Sequence, residues 1–382
     1  MKHVFIIGSR GLPAQYGGFE TFVEQLVINQ KNKNINYHVA CQSENSDLGN
    51  EAGRYDYHGA DCFKIKVPSI GSARVIAYDI KAINKALEII KVEQIEQPIF
   101  YILGNTIGGL IGRYVKKIHA VGGQLFVNPD GLEWKRTKWS APVRSYLKLA
   151  EKKMVQQSDL IISDNEGIKD YLMSQYENVK TKVIAYGTET ASSDLTQSTK
   201  LEEFNIQPDN YYLIVGRFVP ENNYETLIKG FMESSSQKDL IIVTSYQDNS
   251  YFDQLRQITG FDKDKRIKFV GSIYDKSELT YIRKQAFAYL HGHEVGGTNP
   301  GLLEAMWSTP LNIVLSIDFN RKVAGDSALY FTKEDIAQAF TQAEAMTQNQ
   351  KKRLHEKAQA IIQEHYTWDK ICKEYEELFI ES

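Results

Sequence analysis

The chain has 382 residues, enough for two or three domains of about 100–200 residues, each large enough to bury a core of its own. A hydrophobic fraction of 42% and a charged fraction of 24% are ordinary for a globular protein, and a net charge of −3 carries no nucleic-acid signature. Cys41, Cys62 and Cys372 are odd in number, widely spaced and in no CxxC pattern, which argues against a zinc or disulfide framework and fits a reducing compartment.

Val4–Ile7 reads as a buried strand, and Phe19, Phe22, Val23, Leu26 and Val27 recur at helical spacing after the four-glycine loop GSRGLPAQYGG. A strand this early leaves no room for a signal peptide. Further strands are expected at Tyr37–Ala40, Phe63–Val67, Ile99–Leu103, Leu125–Asn128, Leu160–Ser163 and Lys182–Ala185, with helical patterns between most of them. Such alternation implies a parallel sheet covered on both faces. The most apolar longer segment, Ile102–Gly112, falls short of the roughly 20 residues that a membrane-crossing helix needs. The expectation is a cytoplasmic protein whose membrane contact, if any, is peripheral.

The stretch from Thr188 to Asn205 is rich in Ser and Thr and reads as a linker. The theme then restarts. Tyr212–Val215 is a strand, followed by GRFVPENNYET and a helix carrying Leu227, Ile228 and Phe231 on one face. Strands at Leu240–Thr244, Ile267–Val270, Tyr289–His291, Leu311–Val314 and Leu329–Phe331 complete a second sheet, and the chain is helical from about Glu334. Two such domains would place a cleft at the carboxyl ends of their strands, where open α/β sheets bind ligands.

The richest stretch is HGHEVGGTNPGLLEAMWSTP, His291 to Pro310. Asn299 is a favoured N-cap and Pro300 a favoured first helical residue, so a helix begins there and aims unpaired N–H groups at the loop. That end suits a diphosphate, with Gly296, Gly297, Thr298 and Asn299 letting the backbone approach closely. Glu304, about a turn further on, is placed to accept hydrogen bonds from sugar hydroxyls. Arg217, after Gly216 at a strand end, is a candidate diphosphate clamp or else a surface ion-pair partner. Gly17 and Gly18 form a similar glycine pair in the first half. Asp130 in NPDGLEW either meets an acceptor hydroxyl or merely forms a turn with Gly131. Asp164 is either a cleft carboxylate or a helix cap before Glu166. Tyr186 lies near the domain junction.

From Arg113 to Lys153 there are ten Lys/Arg against three Asp/Glu, a local excess of seven positive charges. Arg144, Lys148 and Lys152 recur every four residues as one helical stripe, and Trp134 and Trp139 flank Lys135, Arg136 and Lys138. Such a surface suits an anionic membrane and a lipid diphosphate, or is a solvated helix face. His119, His291 and His293 make no metal-ligand spacing with nearby carboxylates.

These residues resemble glycosyltransferase family 4. VFIIGSRGLPAQYGGFETFVEQL, NPDGLEWKRTKW and HEVGGTNPGLLEAM look like the bacterial β-1,4-rhamnosyltransferases of polysaccharide assembly. The resemblance implies the GT-B fold, two facing Rossmann-like domains with a central cleft. Residues 1–190 would form an acceptor-binding domain, with a helix over about 366–382 packing back on it, and residues 206–365 a donor-binding domain. It implies transfer of L-rhamnose from dTDP-β-L-rhamnose, with retention, to the 4-hydroxyl of glucose or N-acetylglucosamine on a lipid diphosphate, at the inner face of the plasma membrane. No cofactor, metal or nucleic acid is implied. Catalytic roles would fall to Asp130, Asp164, Arg217 and Glu294. Donor contacts would come from Gly17, Gly18, Gly216, Arg217, Asn222, Ile273, Tyr274, Gly296, Gly297, Thr298, Asn299, Pro300 and Glu304, and acceptor contacts from Asp130, Glu133, Trp134, Lys135, Arg136 and Tyr186. In two places the chain departs from the pattern. Gly296 stands eight residues before Glu304, where the wider family has a second glutamate, leaving Glu294 as the nearest, and Asn222 replaces the usual lysine after Arg217. Other readings are a UDP-sugar transferase, a nucleotide-sugar epimerase and a sugar-binding module. A nicotinamide oxidoreductase would need GxGxxG after the first strand, and Gly8 is followed instead by Gly11, Leu12 and Pro13.

Overall fold

The computed structural model describes residues 1–15, 17–45, 53–68, 71–190, 194–195, 197–247 and 249–382. The chain divides into two units, residues 1–187 with 368–382, and residues 188–367.

The first unit is built on strands β1 (Lys2–Ile7), β2 (Ile35–Gln42), β3 (Arg54–Tyr57), β4 (Ala60–Ile65), β5 (Ile99–Leu103), β6 (Gln124–Asn128), β7 (Leu160–Ser163) and β8 (Thr181–Val183). They pair in the order β3-β4-β2-β1-β5-β6-β7-β8. All neighbours are parallel except β3 and β4. Val4–Ile7 are fully buried, as a strand covered on both faces requires. The strand order reverses between β1 and β5, the position where open sheets leave a crevice. Strand β3 is missing from the sequence reading because RYDY mixes charge with aromatic residues. Its signal is the two-residue turn His58-Gly59, with φ of 50° and 88°, which closes a hairpin onto β4.

Two carboxylates of the helix Gly18–Ile28 hold the glycine loop after β1. Glu20 accepts from the Arg10 N–H at 2.7 Å and Glu24 from the Ala14 N–H at 2.8 Å. The helix Trp368–Glu381 supplies Ile371, Cys372, Tyr375, Leu378 and Phe379 to the core of this unit, beside Phe22, Tyr101 and Tyr186. Tyr375 and Tyr101 share a hydroxyl hydrogen bond at 2.9 Å, and Glu376 accepts from the Lys31 and Asn32 N–H groups. Each large apolar side chain buried in this way contributes about 1.5–3 kcal/mol.

The second unit contains β9 (Tyr211–Val215), β10 (Asp239–Val243), β11 (Ile267–Gly271), β12 (Ala288–His291), β13 (Asn312–Leu315) and β14 (Leu329–Phe331). Their order, β11-β10-β9-β12-β13-β14, is that of a doubly wound dinucleotide fold, and every pairing is parallel. Helices cover both faces, giving one core around Tyr212, Phe231 and Phe340 and another around Leu213, Leu302 and Ile362. The linker reading of 188–205 needs correction. Thr199–Glu203 is a short helix, capped by the Ser198 hydroxyl and anchored by buried Leu201. Ser and Thr at its start conceal it, because the same residues that cap a helix also mark loops. Residues 191–193 and 196 of that stretch lie outside the described residues.

Candidate functional site

Because β9 and β12 are neighbours at the reversal point of the second sheet, the loops that follow them emerge side by side. They are laced together by Asn222 and Asn223. The Asn222 side chain donates to the Arg217 carbonyl at 2.7 Å and meets His293 Nδ1 at 2.6 Å. Asn223, held at φ 55°, donates to the Gly292 carbonyl at 2.8 Å and to Glu294 Oε2 at 3.1 Å. The Glu294 N–H returns a bond to the Glu221 carbonyl at 3.0 Å. Asn222 is therefore a brace between two loops, a job that lysine, with no acceptor atom, could not do at His293. Lys333, just past β14, ion-pairs with Glu294 at 2.7 Å and brings a cation to this edge.

No side chain fits at Gly292, since a Cβ there would lie 2.5 Å from the Asn222 carbonyl oxygen. Gly292→Ala should force the two loops apart, at a cost of about 1–3 kcal/mol in stability. Urea unfolding should report that loss together with weaker nucleotide binding, and wild-type behaviour in both would refute the lacing.

Asn299 caps the helix Pro300–Ser308 by accepting from the Gly301 N–H at 2.9 Å. Leu302, Leu303, Ala305 and Met306 are buried, whereas Pro300, Gly301 and Glu304 share the opposite face. Gly296 has φ 131°, a conformation open to glycine, and Thr298 is buried. Arg217 is exposed at the end of β9 and makes no ion pair among the described residues. Burial, with His293 beside it, lowers the pKa of His291 well below its usual range and keeps the imidazole neutral. Glu304 is paired with Arg283, Nη2 to Oε2 at 2.5 Å, a contact that the sequence reading missed. Gly216 lies under Asn222, and its carbonyl accepts from the Thr244 and Tyr224 hydroxyls. Ile273 packs into the second core, and Tyr274 beside it is 79% exposed.

In the first unit the candidates follow several strands. Gly17 has φ 130°, and a Cβ there would collide with the Glu20 carboxylate. Gly18 opens the helix in free space. Asp130 and Gly131 both have positive φ, and the Asp130 N–H donates to Asn128 Oδ1 at 3.0 Å, so the pair does make the turn. Asp164 is buried at the end of β7, but the cap of the next helix is Asn165, which accepts from the Gly167 N–H at 2.7 Å. Tyr186 is buried against Phe22, and its hydroxyl accepts from Asn128 at 3.3 Å.

The tryptophan segment is tied inward. Trp139 donates to Glu133 at 2.9 Å, and Arg136 and Lys138 both pair with Glu133. Trp134 donates to Glu151, and Lys148 sits 4.5 Å from the Trp134 ring while pairing with Glu151. Lys148 thus keeps its place on the stripe of the helix Ala141–Gln157 but turns its charge to Glu151, whereas Arg144 and Lys152 are exposed. The four-residue spacing identifies a helix face without revealing what covers it. Lys135 stays exposed beside Trp134. Among the described residues no group of three His, Cys, Asp or Glu side chains could hold a metal, and no helix is long and apolar enough to cross a membrane.

Residues 1–189 match the family model described as a domain of unknown function, DUF1972. The O-antigen chain mannosyltransferase RfbU of Salmonella typhimurium is 25% identical over 192 residues, covering 50% of this chain and 51% of that protein. The chain thus spans about half the length of that relative. Among solved structures, sucrose-phosphate synthase from Thermosynechococcus elongatus superposes with a TM-score of 0.76 at 18% identity, covering 100% of both chains. The Burkholderia vietnamiensis α,α-trehalose-phosphate synthase gives 0.73 at 9% identity, again over 100% of both. The E. coli trehalose-6-phosphate protein bound with UDP-2-fluoro glucose gives 0.70 at 12%, over 99% of both. At such identities the likeness speaks for architecture: the chain has the fold of the GT-B glycosyltransferases, an α/β design of two units, each with a sheet that is parallel apart from the edge strand β3 of the first.

Proposed function

We propose that the protein is a retaining glycosyltransferase that takes its sugar from a nucleotide diphosphate bound in the second unit. The observation that carries this reading is the platform at the reversal point of the second sheet. There Arg217, exposed at the end of β9 with no ion pair among the described residues, and the Asn299-capped helix that carries the half-exposed Glu304 follow neighbouring strands, and both offer positive charge to a diphosphate. The mannosyltransferase relative and a structural neighbour bound to a UDP-sugar analogue support the class of reaction.

The finer assignment is L-rhamnose from dTDP-β-L-rhamnose, passed to the 4-hydroxyl of glucose or N-acetylglucosamine on a lipid diphosphate. It rests on the likeness of HEVGGTNPGLLEAM and NPDGLEWKRTKW to rhamnosyltransferases. In this scheme the sugar–phosphate bond breaks while Arg217 and the helix end offset charge growing on the diphosphate. The acceptor hydroxyl attacks the same face of the oxocarbenium-like ring and passes its proton to the departing phosphate. Asp130 and Asp164 of the first unit are the carboxylates assigned to the acceptor and the ring, and Glu294 is held for the sugar by Asn223 and Lys333. Cytoplasmic placement against an anionic membrane belongs to the same proposal. Exposed Arg113, Lys116, Arg144 and Lys152, with Leu110 and Leu149 exposed at 48% and 49%, provide the charge and apolar contact.

The decisive experiment incubates the protein with dTDP-rhamnose and a synthetic lipid-diphosphate N-acetylglucosamine or glucose, with linkage read by NMR. A UDP-sugar as the sole productive donor would overturn the rhamnose assignment, and stabilisation by NAD alone would overturn the transferase reading. Arg217→Ala should lower kcat/KM by about 10–100-fold, the worth of a charged hydrogen bond or two. Unchanged steady-state kinetics would remove Arg217 from the site.

A further inference from the structure

Between the end of β6 at Asn128 and the helix Ala141–Gln157, the chain has a single short helical turn, Glu133–Lys135. Regular structure does little to fix these residues, which include the acceptor contacts proposed above. Side chains do it instead, and the chief of them is Glu151, 2% exposed on the helix Ala141–Gln157. Its carboxylate accepts from Trp134 Nε1 at 3.1 Å, Lys148 Nζ at 3.1 Å, Tyr171 Oη at 2.8 Å and Tyr176 Oη at 2.6 Å. The Lys148 ammonium lies 4.5, 4.8 and 5.4 Å from the centres of the Trp134, Tyr171 and Tyr176 rings, so three aromatic rings and a carboxylate box one cation. Burial and the neighbouring Glu151 raise the pKa of both tyrosines, which keeps their hydroxyls as donors.

Apolar packing alone would bury an indole without fixing its rotation. The indole nitrogen is a donor with no acceptor capacity, so its bond to Glu151 specifies which edge of Trp134 turns inward, and the boxed ammonium adds a cation–π contact to the ring. The turn that carries Trp134 is held with it. Charge in this segment is then unevenly committed. Arg136 and Lys138 both pair with Glu133, while Lys135, next to Trp134, is exposed and makes no ion pair among the described residues. Its ammonium lies 5.6 Å from the centre of the Trp134 ring, so the orientation of the indole decides where that charge stands.

We propose that Glu151 positions the Trp134 turn so that Lys135 presents its charge to the diphosphate of the acceptor. The inference rests on the acceptor reading above and deepens it, because it singles out one cation of the basic region and names the carboxylate that places it. Glu151 acts through Trp134 and is a positioning residue.

The test is steady-state kinetics of the full chain with the lipid-diphosphate N-acetylglucosamine and the donor that the wild type uses. Lys135→Gln should raise the KM for the acceptor about tenfold and leave that for the donor nearly unchanged, the pattern of one lost charge-assisted contact. Lys135→Arg keeps the charge and should stay close to the wild type. Glu151→Gln, with one acceptor oxygen in place of two, should reproduce the same split. Tyr176→Phe, which removes one of the four donors to Glu151, should shift the acceptor KM less in the same direction and serves if Glu151→Gln does not fold. Combined with Lys135→Gln, either change should add little to the effect of Lys135→Gln alone, because both act on one contact, whereas a merely structural role would add its full effect. Full additivity, or a rise in both KM values, overturns Glu151 as the positioning residue. An acceptor KM unmoved by Lys135→Gln, or raised equally by Lys135→Arg, overturns the charge contact and the inference with it. In these cases transfer by the wild type leaves the acceptor reading standing. Absence of transfer from the wild type to this acceptor overturns that reading and the inference together.

Discussion

Glu304→Ala should destabilise the second unit as well as impair nucleotide binding, because it strands Arg283. That guanidinium is 4% exposed, and among the described residues Glu304 is its ion-pair partner. Breaking a fully buried pair from one side costs about 3–5 kcal/mol; here Glu304 is half exposed and water reaches the contact, so a loss of about 1–3 kcal/mol is expected. The double variant Arg283→Met/Glu304→Gln removes both charges and should recover most of that loss while still binding nucleotide poorly. Urea unfolding of the two variants separates the effects. A single Glu304→Ala variant that unfolds like the wild type would show that Arg283 finds other solvation, and activity lost on that substitution could then be read as lost contact alone.

The second large effect is expected at Asp79, on the helix Arg74–Glu93 of the first unit. Its carboxyl is 1% exposed and, among the described residues, meets the Thr106 hydroxyl at 3.3 Å. Burial pushes its pKa up to about 7, with the Thr106 bond pulling weakly the other way. In the unfolded chain the same group titrates near 3.9. Between about pH 4 and 7 the folded chain therefore holds a proton that the unfolded chain has released. Stability must fall as pH rises through that window and level off above it. Asp79→Asn removes the dependence. At pH 8 the variant should be more stable than the wild type by about 4 kcal/mol, from roughly three pKa units at about 1.36 kcal/mol each. At pH 4 the two should be nearly equal. Parallel stability curves from pH 4 to 8 would mean that Asp79 is ionised in the fold.

His291 leans the other way. Burial depresses its pKa, so the folded second unit cannot take up the proton that an unfolded chain binds below about pH 6.5. Acid thus works against the second unit over a range in which it favours Asp79 in the first. Separate melting transitions for the two units, moving in opposite directions between pH 5 and 7, are the calorimetric expectation.

Much of this architecture is written in short apolar runs. Ile99–Leu103 leaves little room between helix and strand, because five consecutive apolar residues bounded by Pro98 and Gly104 are too few for a buried helix and fit a strand covered on both faces. The donor loop is equally legible, because Asn299 and Pro300 announce a helix start by local chemistry. Contacts between distant segments are not. Asn222 looks like a lost lysine until β9 and β12 prove to be neighbours and His293 comes within 2.6 Å of it. Arg283 lies on a polar helix with nothing in its local pattern to distinguish it, and only packing against the helix of Glu304 gives it meaning. The pairing of Lys148 is hidden for the converse reason, since four-residue spacing says which residues share a face but not that Trp134 lies over one of them.

The helix Trp368–Glu381 imposes an order on synthesis. Phe22, Tyr101 and Tyr186 are translated early, yet the side chains that cover them, Tyr375 and Phe379, follow the whole of residues 188–367. At ribosomal speed the gap is on the order of ten seconds or more. During that time the nascent amino-terminal half exposes an oily face with no lid, and it is there that a chaperone would be expected to wait.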